Sequence, residues 1–267
     1  MKYCFIGTGN MAEAIIKGMI LGKNKINPQN INTISKTNIS AKNLSKLYNT
    51  NVFDNYKDAI NNCNIIILAV KPNILSDVTK SIKDIVNKNT IIVSLAAGKK
   101  INYIENLLND NMKIIRVMPN INAIVGCSVS AFCCNKNIEE KDKKLIIDIF
   151  ESIGSIIEIE EEKFSAFSAI AGSSPAFSYL YIESLARAGV KNGFTKKQAL
   201  QIAANSVLGS AKMILESGEH PFELIDKVCS PSGTTIEGLS YLLNNSFEGN
   251  IIKSIDEVIQ KDYKISK

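Results

Sequence analysis

The stretch Lys2-Tyr3-Cys4-Phe5-Ile6-Gly7-Thr8-Gly9-Asn10-Met11-Ala12 decides the fold. Lys2–Ile6 reads as a short buried strand, and beyond Ala12 the residues Ile15, Ile16, Met19 and Ile20 recur on one side of a helix. Between them stands Gly-x-Gly-x-x-Ala, in the strand–turn–helix setting that a dinucleotide fingerprint requires. Gly7 permits the tight turn, Gly9 lets the backbone approach a pyrophosphate, and Ala12 keeps helix and strand close. A lone match is weak, whereas a match on the first strand of a β-α alternation is strong.

That alternation continues. Ile31–Ile34 reads as the second strand, whose end decides the cofactor. A site for NAD usually carries Asp or Glu there to bind the ribose 2′-hydroxyl. Here the chain runs Ser35-Lys36-Thr37, a cation between two hydroxyls, which suits a 2′-phosphate and favours NADPH, with NADH as the alternative. A helix over Ala41–Tyr48, a strand at Asn51–Phe53 and a helix over Tyr56–Asn61 follow. The central strand Asn64–Val70 runs into Lys71-Pro72, Thr90–Leu95 opens into Ala96-Ala97-Gly98, and Lys113–Met118 stops at Pro119-Asn120. Small or proline-marked exits on one rim of a parallel sheet are where open α/β sheets bind ligands. Ser128–Cys134 and Ser155–Ile159 read as further strands flanking a helix over Glu139–Ser152.

From about Glu161 the strand signal stops. Helical patterns cover Lys163–Ile170, Ser174–Asn192, Lys196–Glu216, Pro221–Cys229, Thr234–Asn244 and Glu248–Tyr263. The expected architecture is an α/β Rossmann-type doubly wound sheet domain over 1–160, followed by an all-α dimerisation domain over 161–267. Ala199–Leu215 is apolar or small on nearly all sides, and such a helix wants burial on every face. A second subunit would supply that burial; the alternative is one central helix in a monomeric bundle. A second unusual stretch is Cys229-Ser-Pro-Ser-Gly-Thr-Thr-Ile-Glu-Gly-Leu239, where Pro231 and Gly233 break regular structure before a helix starts. The spacing of Thr234 and Glu237 predicts a capping box with Thr234 as N-cap. A turn leading into a helix start presents free N–H groups, a seat for a carboxylate or phosphate, with the Ser230 and Thr235 hydroxyls beside it. The alternative there is a well-capped surface helix.

Composition narrows the classes. A 45% hydrophobic and 21% charged chain of 267 residues is that of a soluble globular protein. The longest aliphatic run, Ile65–Val70, is far too short to cross a bilayer, and the N-terminus enters a strand with no signal-peptide pattern, so a cytoplasmic location is expected. A net charge of +5 spread along the chain is no nucleic-acid footprint. The six cysteines form no C-x-x-C pair and sit mostly in apolar stretches, which predicts reduced, packed thiols. With one histidine and no cluster at ligand spacing, no metal centre is expected.

A nicotinamide cofactor implies hydride transfer. Oxidising an alcohol needs a base such as His, Lys or Tyr beside the reacting carbon, and none is obvious: His220 precedes Pro221 at a helix start, and Lys71 beside Pro72 is the best lysine candidate. Reducing a C=N bond demands less, because an imine nitrogen is basic enough to arrive protonated and one hydroxyl donor suffices. The Ser230–Thr235 turn offers that hydroxyl beside an anion seat, which points to an imine bearing a carboxylate. A relative acting on another cyclic imine or a 2-hydroxy acid, and a catalytically idle NADP-binding sensor, are the competing readings.

Six ordered motifs then carry a specific resemblance: Gly7–Ala12, Ala69–Pro72, Ser94–Gly98, Arg116-Val117-Met118-Pro119-Asn120, Ala171-Gly172-Ser173-Ser174-Pro175-Ala176-Phe177 and Ser230–Thr235. Over essentially its whole length the chain resembles the pyrroline-5-carboxylate reductases, the last enzymes of proline biosynthesis. The resemblance implies a Rossmann domain followed by a helical dimerisation domain, dimers that assemble into larger rings such as a decamer of five dimers, and NADPH-dependent reduction of 1-pyrroline-5-carboxylate to L-proline at a site shared between subunits. It implies that Gly7, Thr8, Gly9, Asn10 and Met11 hold the pyrophosphate and Ser35 with Lys36 the 2′-phosphate. Asn55, Ala69, Val70, Lys71 and Pro72 would line the adenosine and nicotinamide portions, with Ala96 and Ala97 beside the nicotinamide ring. Gly233, Thr234 and Thr235 would seat the substrate carboxylate, with Ser230 beside them; Thr235 would hydrogen-bond the ring nitrogen, and Glu162 would lie nearby. The chain departs from the family pattern at Ala171, Ser174, Phe177, Arg187, Cys229 and Ser232, which bears on substrate choice but removes neither Thr235 nor the nucleotide turn.

Overall fold

The computed structural model describes every residue except Asn24, Asn109, Asp110 and Lys267, and gives the backbone alone for Ile265 and Ser266. Fourteen elements build the first half: β1 (Tyr3–Ile6), α1 (Asn10–Leu21), β2 (Ile31–Ile34), α2 (Ile39–Tyr48), β3 (Asn51–Val52), α3 (Tyr56–Ile60), β4 (Ile65–Leu68), α4 (Leu75–Ile82), β5 (Ile91–Ser94), α5 (Ile101–Leu107), β6 (Lys113–Met118), β7 (Ser128–Cys134), α6 (Glu140–Glu151) and β8 (Gly154–Glu158). The strands form one sheet in the order β3-β2-β1-β4-β5-β6-β7-β8, parallel throughout except for the β6–β7 pair.

Strands buried on both faces read as near-continuous aliphatic runs, and β4, β5 and β6 do so. The pleat then sends alternate residues to opposite faces. Tyr3, Phe5, Ile65, Ile67, Val93 and Val117 pack with Ile15, Ile16 and Met19 of α1 and Ile146 and Phe150 of α6. On the other face Cys4, Ile6, Ile66, Leu68, Ile92 and Ile114 pack with Leu75, Val78 and Ile82 of α4 and Ile104 of α5. This is the doubly wound arrangement expected.

The second half is helical: α7 (Phe164–Phe167), a π-helical turn at Ser168–Ser173, then α8 (Ser174–Lys191), α9 (Lys196–Ser217), α10 (Pro221–Val228), α11 (Thr234–Asn244) and α12 (Phe247–Ser266). The chain divides into two compact units, one comprising Met1–Gly172 with the residues from Ile259 onward, the other Ser173–Val258. In the second unit α8 and α9 pack through Ala186, Ala199 and Ala203. Most other large apolar side chains of α9 stay exposed in the single chain, among them Ile202, Leu208, Met213, Ile214 and Leu215. The all-round apolar helix is therefore not the centre of a bundle made by this chain alone. No helix among the described residues is long and apolar enough to cross a membrane.

Candidate active site

The parallel pairing of β3, β2, β1, β4 and β5 sets their carboxyl ends side by side. The positions singled out for a dinucleotide all follow strands of that edge: Asn55 after β3, Ser35 and Lys36 after β2, Gly7–Met11 after β1, Ala69–Pro72 after β4, and Ala96 and Ala97 after β5. Gly7 turns the chain with φ +96°, its N–H donating to the carbonyl of Ile34 at 2.9 Å. A Cβ there would stand 2.8 Å from the Ala69 carbonyl carbon and closer still to its oxygen, so only glycine lets β1 and β4 leave the sheet together. Gly9 is different. It is the extended N-cap of α1, no side chain caps it, and a Cβ would meet nothing within 4 Å. Its openness faces a helix N-terminus, which fits a pyrophosphate seat.

Beside it, Ser35–Asn38 forms a tight turn, closed by the Asn38 N–H to the Ser35 carbonyl at 3.1 Å, that leaves Lys36 and Thr37 exposed. Asn38, at φ +52°, fixes this turn: its side-chain oxygen accepts from the Ser35 N–H at 2.9 Å, and its amide donates to the Phe53 carbonyl and to Asp54 Oδ1, both at 2.8 Å. Asn tolerates the left-handed conformation better than most residues. Asn55 caps α3, accepting from the Asp58 N–H at 2.9 Å. Ala96 is buried and its N–H donates to Ser94 Oγ at 3.3 Å, whereas Ala97 is exposed.

In the helical unit, Ser230, Gly233, Thr234 and Thr235 lie in one turn at the start of α11. Here one expectation is corrected: Gly233, not Thr234, is the N-cap, and the Thr234–Glu237 capping box does not form. The reason is the turn before it. The Gly233 N–H donates to the Ser230 carbonyl at 3.0 Å, Ser232 sits at φ +56°, and Gly233 then enters the helix in the extended conformation. A Cβ on Gly233 would collide with the Ser230 hydroxyl and lie 3.1 Å from its carbonyl oxygen. Glycine brings no side chain to cap the first-turn N–H groups of α11, and a helix start capped in this way suits an anion. Thr235 also borders an apolar groove with Met213, Leu224, Ile225 and Leu239. His220 is the N-cap of α10 in a capping box with Glu223, so its imidazole is spent on structure.

Glu162 is exposed and lines an open cleft of about 900 Å³ with Glu105, Glu158 and Glu160. Its neighbour Glu161 is the engaged carboxylate. It pairs with buried Arg116 at 3.2 Å and accepts from the Ile101 N–H at 2.8 Å, while the Arg116 guanidinium lies 4.1 Å from the centre of the Phe164 ring. Burial pushes the thiols of Cys133 and Cys134, in β7 along the same cleft, up to about 12. Sequence reasoning did not single out Glu161, Asn38 or Ser40; only the charge of Arg116 inside Ile-Ile-Arg-Val-Met hinted at a buried partner. Among the described residues no group of three or more His, Cys, Asp or Glu side chains is placed to hold a metal ion.

A doubly wound sheet with a glycine turn at its switch point, followed by an all-α unit, is the architecture of a Rossmann-type dinucleotide-binding protein. Comparison with known proteins narrows this. Residues 161–265 match the family model described as pyrroline-5-carboxylate reductase dimerisation, and residues 2–98 match NADP oxidoreductase coenzyme F420-dependent. The pyrroline-5-carboxylate reductase of Aquifex aeolicus is 38% identical over 99% of this chain and 97% of its own, and that of Escherichia coli 36% over 100% and 98%. Among solved structures, the Plasmodium falciparum pyrroline carboxylate reductase with NADP bound superposes with a TM-score of 0.86 at 32% identity, covering 100% of this chain and 98% of its own. The Coxiella burnetii enzyme gives 0.94 at 28%, with the same coverage. The chain belongs to the pyrroline-5-carboxylate reductase family.

Proposed function

We propose that the protein reduces 1-pyrroline-5-carboxylate to L-proline with NADPH, the hydride entering at the C=N carbon, as the last step of proline biosynthesis. The observation that carries this reading is a pair of open anion seats built by glycine: the Gly9 turn ahead of α1 and the Gly233 cap of α11. Residues 1–160 serve as the nucleotide domain and 161–267 as the substrate and dimerisation domain. NADPH, when bound, supplies the hydride. Gly7–Met11 receive the pyrophosphate through backbone N–H groups, and Ser35 with Lys36 receive the 2′-phosphate. Asn55, Ala69–Pro72, Ala96 and Ala97 shape the walls around the adenosine and the ring. The first-turn N–H groups at Gly233–Thr235 hold the substrate carboxylate, and the Thr235 hydroxyl donates to the imine nitrogen as it gains electron density. Ser230 and Glu162 complete the substrate positions.

The exposed apolar side chains of α8, α9 and α11, including Tyr179, Leu180, Leu208 and Leu243, support a homodimer, in keeping with the family model over this region. Transfer of deuterium from [4,4-²H₂]NADPH tests the reaction: the label appears at C5 of proline. Label lost to water, or proline formed without it, would refute direct hydride delivery to the C=N carbon.

A further inference from the structure

We propose that Ser40 is a positioning residue for cofactor choice, joining the pyrophosphate turn to the 2′ end of the adenosine site and so setting the preference for a 2′-phosphorylated dinucleotide. The proposal rests on the reading of this sheet edge as an NADPH site. Ser40 lies in the first turn of α2, outside the glycine fingerprint and five positions beyond Ser35. Its hydroxyl is 2.6 Å from Thr8 Oγ1 and 3.3 Å from Ser35 Oγ. Thr8 is the buried middle residue of the Gly7–Gly9 turn, and Ser35 closes β2. One side chain thus touches the two segments that would hold the two ends of the nucleotide's phosphate chemistry.

The proton arithmetic gives the link a direction. Three hydroxyls in a row carry three protons and make two mutual hydrogen bonds, leaving one proton for a further acceptor. If the row runs Thr8 to Ser40 to Ser35, the spare proton is on Ser35 at the end of β2; the reverse order leaves it on Thr8. A phosphate monoester at neutral pH is chiefly an acceptor, so it selects the first order, and each donor polarises the next. A ribose 2′-hydroxyl both donates and accepts, and selects neither. Asn38 stiffens the frame by holding the Ser35 N–H at 2.9 Å, so the Ser35 hydroxyl has little freedom except the rotation that Ser40 controls. Lys36 adds charge to the 2′-phosphate, but an exposed lysine on a flexible stem gives little orientation. The hydroxyl row supplies it.

The test uses the full-length protein and its Ser40→Ala and Ser40→Thr variants, with dissociation constants for NADPH, NADH, 2′,5′-ADP and 5′-AMP and steady-state constants for both cofactors. Ser40→Ala is expected to weaken NADPH and 2′,5′-ADP about five- to tenfold, in line with loss of one link to a charged acceptor. NADH and 5′-AMP should stay within about twofold, because they draw no charge-assisted bond from the row. KM for NADPH should rise while kcat holds, and Ser40→Thr, which keeps the hydroxyl, should restore both. Equal weakening of phosphorylated and unphosphorylated ligands would overturn the proposal, since Ser40 would then only support the turn, and so would no change in either. A wild-type protein that binds none of the four probes would overturn the cofactor site itself. One that binds them without preference would overturn the 2′-phosphate reading while leaving the dinucleotide site standing.

Discussion

Two alanine substitutions two residues apart should separate folding from binding in the glycine turn. Gly7→Ala puts a methyl where φ is +96° and the Ala69 carbonyl carbon is 2.8 Å away. A side chain in so sparsely populated a backbone region costs roughly 1–3 kcal/mol. Overpacking against immobile backbone adds about 1–3 kcal/mol more. At roughly 2–4 °C per kcal/mol for a chain of this size, the midpoint of thermal unfolding should fall by on the order of 10 °C. Gly9→Ala meets nothing within 4 Å and keeps φ at −81°, so the fold loses only the difference between glycine and alanine at an N-cap, about 1 kcal/mol. Its methyl nevertheless stands where the proposed pyrophosphate seat lies. Loss of one charge-assisted hydrogen bond, about 1.5–3 kcal/mol, weakens NADPH by roughly 10- to 100-fold, and loss of two by correspondingly more. Differential scanning fluorimetry without ligand and calorimetric titration with NADPH read the two effects separately. Wild-type NADPH affinity in Gly9→Ala would refute the pyrophosphate seat. A Gly9→Ala protein as unstable as Gly7→Ala would refute the assignment of strain to Gly7.

Other consequences are as direct. Thr235→Ala should lower kcat at least about tenfold by removing the proposed donor to the imine nitrogen, with NADPH affinity unchanged by titration; undiminished turnover would remove that role. Glu161→Leu leaves Arg116 buried with its charge unpaired and the Ile101 N–H without its acceptor, so urea unfolding should show a loss of about 3 kcal/mol; a loss below about 1 kcal/mol would mean that Phe164 alone satisfies the guanidinium. For the cysteines the sign is set by burial. With Cys133 and Cys134 at about 12, only on the order of one thiol in ten thousand is ionised at pH 8, so iodoacetamide should label the exposed Cys127 first and reach those two as the pH approaches 12 or the chain unfolds. Mass spectrometry of a time course gives the order.

The β1–turn–α1 unit and the alternation after it were legible because a buried parallel strand must be aliphatic on both faces and a dinucleotide turn must be glycine. Strand ends were overrun: Asn64–Val70 is a strand only over Ile65–Leu68, because a polar first residue and a small exit look continuous with an apolar run. Two helices went unassigned. α4 has apolar residues at 75, 78 and 82 in mixed company, with a buried Thr79 whose hydroxyl donates back to the Leu75 carbonyl at 2.8 Å, and α5 is only seven residues long. Both are held by the sheet rather than by their own propensity. The start of α11 was misread by one residue, since capping-box spacing cannot register that a left-handed Ser232 turns the chain before Gly233. Within the site, positions carried by glycine, alanine and the Ser230–Thr235 run were visible in one dimension. Ser40, Asn38 and Glu161 act across gaps of 32, 16 and 45 residues, and such pairings exist only once the sheet has aligned its strand ends.

The central claim is tested most directly by supplying the purified protein with 1-pyrroline-5-carboxylate and either NADPH or NADH alone, and measuring nucleotide oxidation together with proline. The account predicts L-proline in equal amount to the nucleotide consumed, with a higher kcat/KM for NADPH than for NADH. Nucleotide that binds but is not oxidised, with no proline formed, would contradict it.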